Sequence, residues 1–162
     1  RMLLRWCDPN VHDMYGVTPL HKAVAFGQLT TVECLLADRR IRIDQPALQP
    51  TAPEHHQALS GGETPLILAA SHTYYFHHTK HTRIAAALLS AGADPDVRAP
   101  DGQTAAHRAA QAGNAGVISS LLQSKRARWD LSDREGHTPR MLAEANRRTE
   151  VLRLLDGAGI KQ

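Results

Sequence analysis

Four histidines crowd into one short stretch: His72, His77, His78 and His81 all fall between Ser71 and His81. Imidazole is a common ligand for zinc-like ions, and if the stretch is helical His77 and His81 share a face at i and i+4. A closed structural site needs about four ligands, and no cysteine or acidic residue stands in the stretch to complete a set. No metal is therefore assigned. Other chemistry is no better supplied, since there is no glycine-rich phosphate loop, no H-E-x-x-H, no C-x-x-C and no G-x-S-x-G elbow. The chain reads as non-catalytic and in need of no cofactor. Cys7 and Cys34 have no framework spacing, which points to a reducing compartment, cytoplasmic or nuclear.

What remains is contact chemistry. Met14, Tyr15, Val17 and Phe26 lie close together, and Tyr74 and Tyr75 follow His72. Apolar and aromatic side chains of this kind anchor partners where they stay accessible. Which of them do so depends on the elements that carry them, and those elements recur. Gly16-Val17-Thr18-Pro19-Leu20-His21-Lys22-Ala23-Val24-Ala25-Phe26-Gly27 is followed by Leu35-Leu36. Gly62-Glu63-Thr64-Pro65-Leu66, Gly102-Gln103-Thr104-Ala105-Ala106-His107 and Gly136-His137-Thr138-Pro139-Arg140 repeat the opening. Leu88-Leu89, Leu121-Leu122 and Leu154-Leu155 repeat the close. The four threonines are 46, 40 and 34 residues apart, with glycine two residues before each and alanine five residues after each (Ala23, Ala69, Ala109, Ala143). A repeat of this period means units that bury their apolar faces against one another.

The T-P-L-H-x-A pattern resembles the ankyrin repeat family, and the resemblance covers nearly the whole chain. It implies an all-α solenoid of helix-turn-helix units joined by β-turn or hairpin loops. Local physics agrees. Thr18 can cap a helix whose first position is Pro19, where the missing N–H costs nothing. Gly16 permits the tight turn ahead of it. The recurrent alanines let paired helices approach closely without loss of helix propensity. Gly27 and Gly113 end the first helices of their pairs, and Val32, Leu35 and Leu36, or Val117, Ile118, Leu121 and Leu122, give the second helices an apolar face.

One domain over residues 1–162 divides at these landmarks. Residues 1–12 read as the end of a preceding repeat, because Cys7-Asp8-Pro9-Asn10-Val11 parallels Ala93-Asp94-Pro95-Asp96-Val97, and Leu3-Leu4 carry a second-helix signature with no partner helix to cover them. Repeat 1 takes 13–44. Residues 45–61 form an inserted loop of 13 extra positions, rich in proline and poor in periodicity, read either as a tolerated surface insertion or as functional. Repeat 2 takes 62–98 and has seven further residues within 71–81, lengthening its first helix or widening the helix–helix loop. It also has Ile67 where histidine is expected. Repeat 3 takes 99–132. Repeat 4, at 133–162, reads as a polar C-terminal cap, one residue short between Thr138 and Leu155, with Arg140, Glu144, Arg147, Arg148, Glu150 and Arg153 on its outer face. The chain opens with Arg1 and reads as a piece of something longer.

Net charge is +3, with fifteen arginines against four lysines. That suits acidic partners but is too weak for nucleic acid, and the basic run Lys125-Arg126-Ala127-Arg128 is too short for a nucleic-acid patch. No apolar run approaches the ~18 residues of a membrane span.

The resemblance implies binding on a concave face of turns and first helices. Carried over by position, the contact residues are Met14, Tyr15, Val17, Ala25 and Phe26 in repeat 1, and Ser60, Glu63, Ser71 and His72 in repeat 2, extended by Tyr74 and Tyr75. Repeat 3 offers Asp101, Gln103, Gln111 and Ala112, and repeat 4 offers Arg134, Glu135, His137 and Ala145. Phe26 is read either as an accessible anchor or as packed inward against repeat 2, and Val17 either as an accessible anchor or as an ordinary turn residue. The expected function is a non-catalytic protein–protein interaction module of a larger protein, its partner a protein or peptide with apolar and acidic residues. The rivals are a targeting or substrate-recruiting domain of an enzyme or bacterial effector, and an array that docks within its own protein.

Overall fold

The computed structural model describes residues 8–47, 61–71 and 78–160, the side chains of 78 and 79 excepted. Eight helices and no strand are found among them, in four pairs: α1 (Pro19–Ala25) with α2 (Leu29–Leu36), α3 (Pro65–Ser71) with α4 (His78–Ser90), α5 (Ala105–Ala112) with α6 (Ala115–Ser124), and α7 (Pro139–Ala145) with α8 (Thr149–Gly157). First helices stack on first helices and second on second, so the chain is an all-α solenoid.

Each first helix begins the same way. Thr18 Oγ1 accepts from His21 N, Thr64 Oγ1 from Ile67 N and Thr138 Oγ1 from Met141 N. Thr104 makes a capping box with His107. These threonines satisfy N–H groups that a helix leaves open at its start. The second helices share one register too. α2, α6 and α8 begin six residues before Leu35, Leu121 and Leu155, each buried, whereas α4 begins ten before Leu88.

That register corrects one expectation. Leu155 takes the place of the first leucine of the pair, so repeat 4 is not one residue short, and Asp156 occupies the second place, where it pairs with Arg140 at 2.7 Å. The expectation of a lengthened first helix or a widened helix–helix loop in repeat 2 falls largely on residues 72–77, outside the described residues. About a turn of the addition stands at the start of α4, and the remainder lies in that stretch.

The core is one continuous strip, from Leu20 and Val24 through Leu66, Ile67, Ile84 and Leu88 to Ile118, Leu121, Val151 and Leu155. All six residues from Pro65 to Ala70 are buried, as a helix without a polar side must be. On the outer face of repeat 4, Glu144, Arg147, Glu150 and Arg153 are exposed. Arg140 and Arg148 instead fold back onto the protein, Arg140 onto Ile160 O at 2.9 Å and Arg148 onto Gln111 O at 3.0 Å.

Candidate interaction surface

A row of hairpin turns precedes the first helices. Each is closed by a pair of backbone bonds: Asp13 N to Val17 O, Ala47 N to Glu63 O, Ala99 N to Gln103 O and Asp133 N to His137 O, with a glycine N–H returning to the first residue of each. The long insertion therefore leaves from a hairpin tip. Residues 45–47 are already part of the repeat framework, because Ala47 bonds both Gly62 and Glu63 just as Ala99 bonds Gly102 and Gln103. Residues 48–60 themselves, Ser60 included, lie outside the described residues.

Two turns are reinforced by the aspartate that opens them. Asp13 Oδ1 accepts from Tyr15 N and Val17 N, and Asp133 Oδ1 from Glu135 N and His137 N. Desolvation raises both carboxyls, but these hydrogen bonds, with Lys22 helping at Asp13, outweigh it and hold them below the ordinary aspartate value.

Histidines tie one turn to the next. His21 Nδ1 lies 3.2 Å from Thr18 N and 2.8 Å from Thr18 Oγ1, so Nδ1 accepts and the proton sits on Nε2, which donates to Glu63 O at 3.1 Å. His107 repeats this with Thr104 and His137 O. Burial pushes both imidazoles below their ordinary value. Ile67 fills this place in repeat 2, fully buried, and repeats 2 and 3 are tied by charge instead. Arg108 stands 3.7 Å from the buried Glu63 and 2.8 Å from Asp101; between repeats 3 and 4, Gln103 Nε2 donates to Asp133 at 3.3 Å.

The candidate contact residues are thereby sorted. Met14 is 81% exposed at the tip of the first turn, and Tyr15 beside it packs part of its surface on the core. Val17 is 7% exposed and belongs to the core, which corrects its reading as an accessible anchor. Glu63, at the same position after its turn glycine, is buried as well. Phe26 caps α1 and is 65% exposed, so it does not pack inward against repeat 2. It lines an open groove of about 330 Å³ with Val11, Val17, Pro19 and Lys22, while Met14 and Tyr15 lie apart at the turn. Ser71 and Ala25 are half-buried, Gln111, Asp101, Arg134, Glu135 and Ala145 exposed, and His137, Gln103 and Ala112 half-buried. His72, Tyr74 and Tyr75 lie outside the described residues.

His81 is buried, its ring over Gly27 of repeat 1, so one member of the histidine cluster is a packing residue. His72 and His77, and the side chain of His78, lie outside the described residues. No group of three or more metal-ligating side chains is placed to hold an ion among the described residues. No helix among them is long and apolar enough to cross a membrane. The groove by Val11 and Phe26 gave no signal in the sequence, because its walls come from an exit loop and a helix end that only the fold brings together.

Comparison with known proteins decides the family. A model described as ankyrin repeats in three copies matches residues 77–162, and a single ankyrin repeat matches 15–46. The chain belongs to the ankyrin repeat family. The interval between the two ankyrin matches holds the hairpin insertion and α3, where this chain departs most from the pattern. Among curated proteins the chain is 33% identical over 140 residues to human Rabankyrin-5 and 34% over 140 residues to the mouse protein, covering 84% of this chain and 11% of theirs. It is 31% identical over 147 residues to zebrafish neurogenic locus notch homolog protein 1, covering 88% of this chain and 5% of that one. The chain thus spans a small part of these relatives' length. As a run of ankyrin repeats it is built as a protein-interaction module.

Proposed function

We propose that this chain is a non-catalytic ankyrin-repeat module that binds a protein or peptide along the row of hairpin turns and first helices. The observation that carries the reading is the fourfold recurrence of the same closed turn, which sets variable side chains at equal register on a rigid base. Met14 and Tyr15 are its apolar anchors, Asp101, Gln111 and Ser71 its middle, and Arg134, Glu135 and His137 its far end. Lys22 is held by Asp13 at 3.1 Å and Arg108 by Glu63 and Asp101. The attraction for an acidic partner segment therefore rests on Arg134, and the apolar part of that segment meets repeat 1. His72, Tyr74 and Tyr75 are proposed to extend the apolar part.

The test is affinity capture from the native cell with the parent chain and a Tyr15→Ala variant, followed by direct titration of the protein that differs. Tyr15→Ala is expected to weaken binding by about 2 kcal/mol, the scale of a central anchor. Arg134→Ala is expected to act on association rate and salt dependence, because a rim charge steers more than it holds. A partner indifferent to both changes but lost on Arg83→Glu, on the second-helix side, overturns the placement.

A further inference from the structure

The second helices leave an opening of their own between repeats 2 and 3. A groove of about 240 Å³ lies between the later halves of α4 and α6, its walls Ala86 and Ser90 on one side and Ser120, Gln123 and Ser124 on the other, with Arg126 just beyond α6. Small side chains open it. Nearer the start of α6 the two helices touch closely, so that a Cβ built on Gly116 would meet Thr82. Leu154, which has in α8 the register of Ser120, is half-buried and packs on the core. The shorter serine leaves that space to the groove.

Its charge has one sign. Neither α4 nor α6 contains an aspartate or glutamate, whereas α2 has Glu33 and α8 has Glu150 and Asp156. Arg83 is exposed and shares a helix face with Ala86 and Ser90, three and seven residues later. Lys125 is exposed beside Arg126. The guanidinium of Arg126 is held through Nη2 alone, which donates to Leu89 O and Ala93 O, so its Nε–H and Nη1 hydrogens have no partner among the described residues. Ser120 and Ser124 spend their hydroxyl protons on Gly116 O and Leu121 O, while Ser90 and Gln123 are exposed. Asp44 feels the charge of Arg126, but its carboxylate is occupied by Asp94 N at 3.1 and 3.2 Å.

We propose that this groove is a second docking site, on the second-helix side of the solenoid, which receives an acidic peptide segment of a protein partner. An aspartate or glutamate side chain enters beside Arg126, its oxygens accepting from Nη1 and from the Gln123 amide or the Ser90 hydroxyl. Such charge-assisted bonds are about twice as strong as neutral ones. Because main-chain carbonyls already hold Nη2, the guanidinium is in place before the segment arrives, and little side-chain freedom is lost on binding. Small residues of the segment cover Ala86. Arg83 stands six helical residues before Leu89, about 9 Å along the axis, so a second carboxylate about that far along the segment is favoured. A lysine or arginine in either place meets like charge and is refused.

The test titrates a fluorescein-labelled octapeptide of alternating glutamate and alanine into the whole chain, read by anisotropy, beside a lysine–alanine octapeptide. The acidic peptide is expected to bind saturably and the basic one not at all. Ser120→Leu gives the groove the side chain that repeat 4 carries at that register, and Gln123→Glu sets a carboxylate in its wall. Each is expected to weaken binding about tenfold or more while far-ultraviolet dichroism keeps the helix content of the parent. Arg83→Ala is expected to cost about threefold at low salt and nothing at high salt. In nitrogen-15 spectra the Arg126 Nε–H and Gln123 amide signals shift as the acidic peptide is added. No saturable binding below about 1 mM overturns the proposal, and so does binding that Ser120→Leu and Gln123→Glu leave intact. Loss of binding on Arg134→Ala places the peptide on the row of turns and overturns it as well. Displacement of the peptide by inorganic phosphate at matched ionic strength gives the groove to a phosphoryl group and overturns the assignment to a carboxylate.

Discussion

His21 and His107 are held neutral by where they sit. Burial lowers both imidazoles by more than their bonds to Glu63 O and His137 O restore. The unfolded chain takes up a proton at each near pH 6.5 and the folded chain only at lower pH. The stability they contribute is therefore full above about pH 6.5 and is lost as pH falls from there through the folded values. The unfolding midpoint is expected to drop between pH 7.5 and pH 5, and His107→Gln, costing about 1–2 kcal/mol at neutral pH, is expected to flatten that drop. An equally steep drop in the variant would remove His107 from the account. Asp13 and Asp133 act in a separate window: their folded values are lowered, so their contribution is present above about pH 3.9 and lost below it. The histidine positions were legible in the sequence because they stand at a fixed offset from a capping threonine. The burial of Val17 was not, because the exposure of a residue after a turn glycine depends on where the next hairpin lies.

Turns and helix ends were legible where a glycine or threonine marked them, and less so where another residue does the same work. At Gly102 φ is +83°, and a Cβ built there would stand 2.8 Å from Arg134 N, the group that bonds Asp101 O. Gly102→Ala is expected to cost about 2 kcal/mol, read as a lower unfolding midpoint, since it meets both a left-handed backbone and an adjacent main chain. The opposite case is Arg147, with φ +55° at the place held by Gly27 and Gly113, and Lys125, with φ +54° at the place held by Gly92 and Gly159. Side chains in this conformation cost about 1 kcal/mol. Arg147→Gly and Lys125→Gly are each expected to raise stability by up to about 1 kcal/mol; a fall on denaturant titration would show that their side-chain contacts outweigh the strain. Nothing in the sequence announced either position, because a left-handed residue without glycine leaves no local signature.

At the scale of the molecule, the period, the capping threonines and the leucine pairs carried the all-α repeat fold, since each is a local signal repeated four times. The placement of the two additions, before and within repeat 2, was only partly readable, because length differences alone do not say which element absorbs them. The closed turn around the first addition supplies a test. Replacing residues 48–61 by the dipeptide Pro-Asp, which spans the same place between Ala99 and Gly102, keeps the bonds from Ala47 to Gly62 and Glu63. Stability is expected to stay within about 1 kcal/mol, as slow loop-entropy scaling requires. A much lower midpoint would show that these residues cover part of the core.

Arg126 lies just past the end of α6, yet its guanidinium donates to Leu89 O at 2.8 Å and Ala93 O at 3.0 Å. Those carbonyls belong to the end of α4 and the loop beyond it, and the carbonyls of a helix's last turn have no partner within the helix. On the ribosome, the residue that finishes repeat 2 is thus made 37 positions after the first carbonyl it serves. His21 likewise waits for Glu63, 42 positions later. Synthesis therefore runs ahead of completion by about one unit along repeats 1 to 3, and each of these nascent repeats stays provisional until its successor has left the exit tunnel.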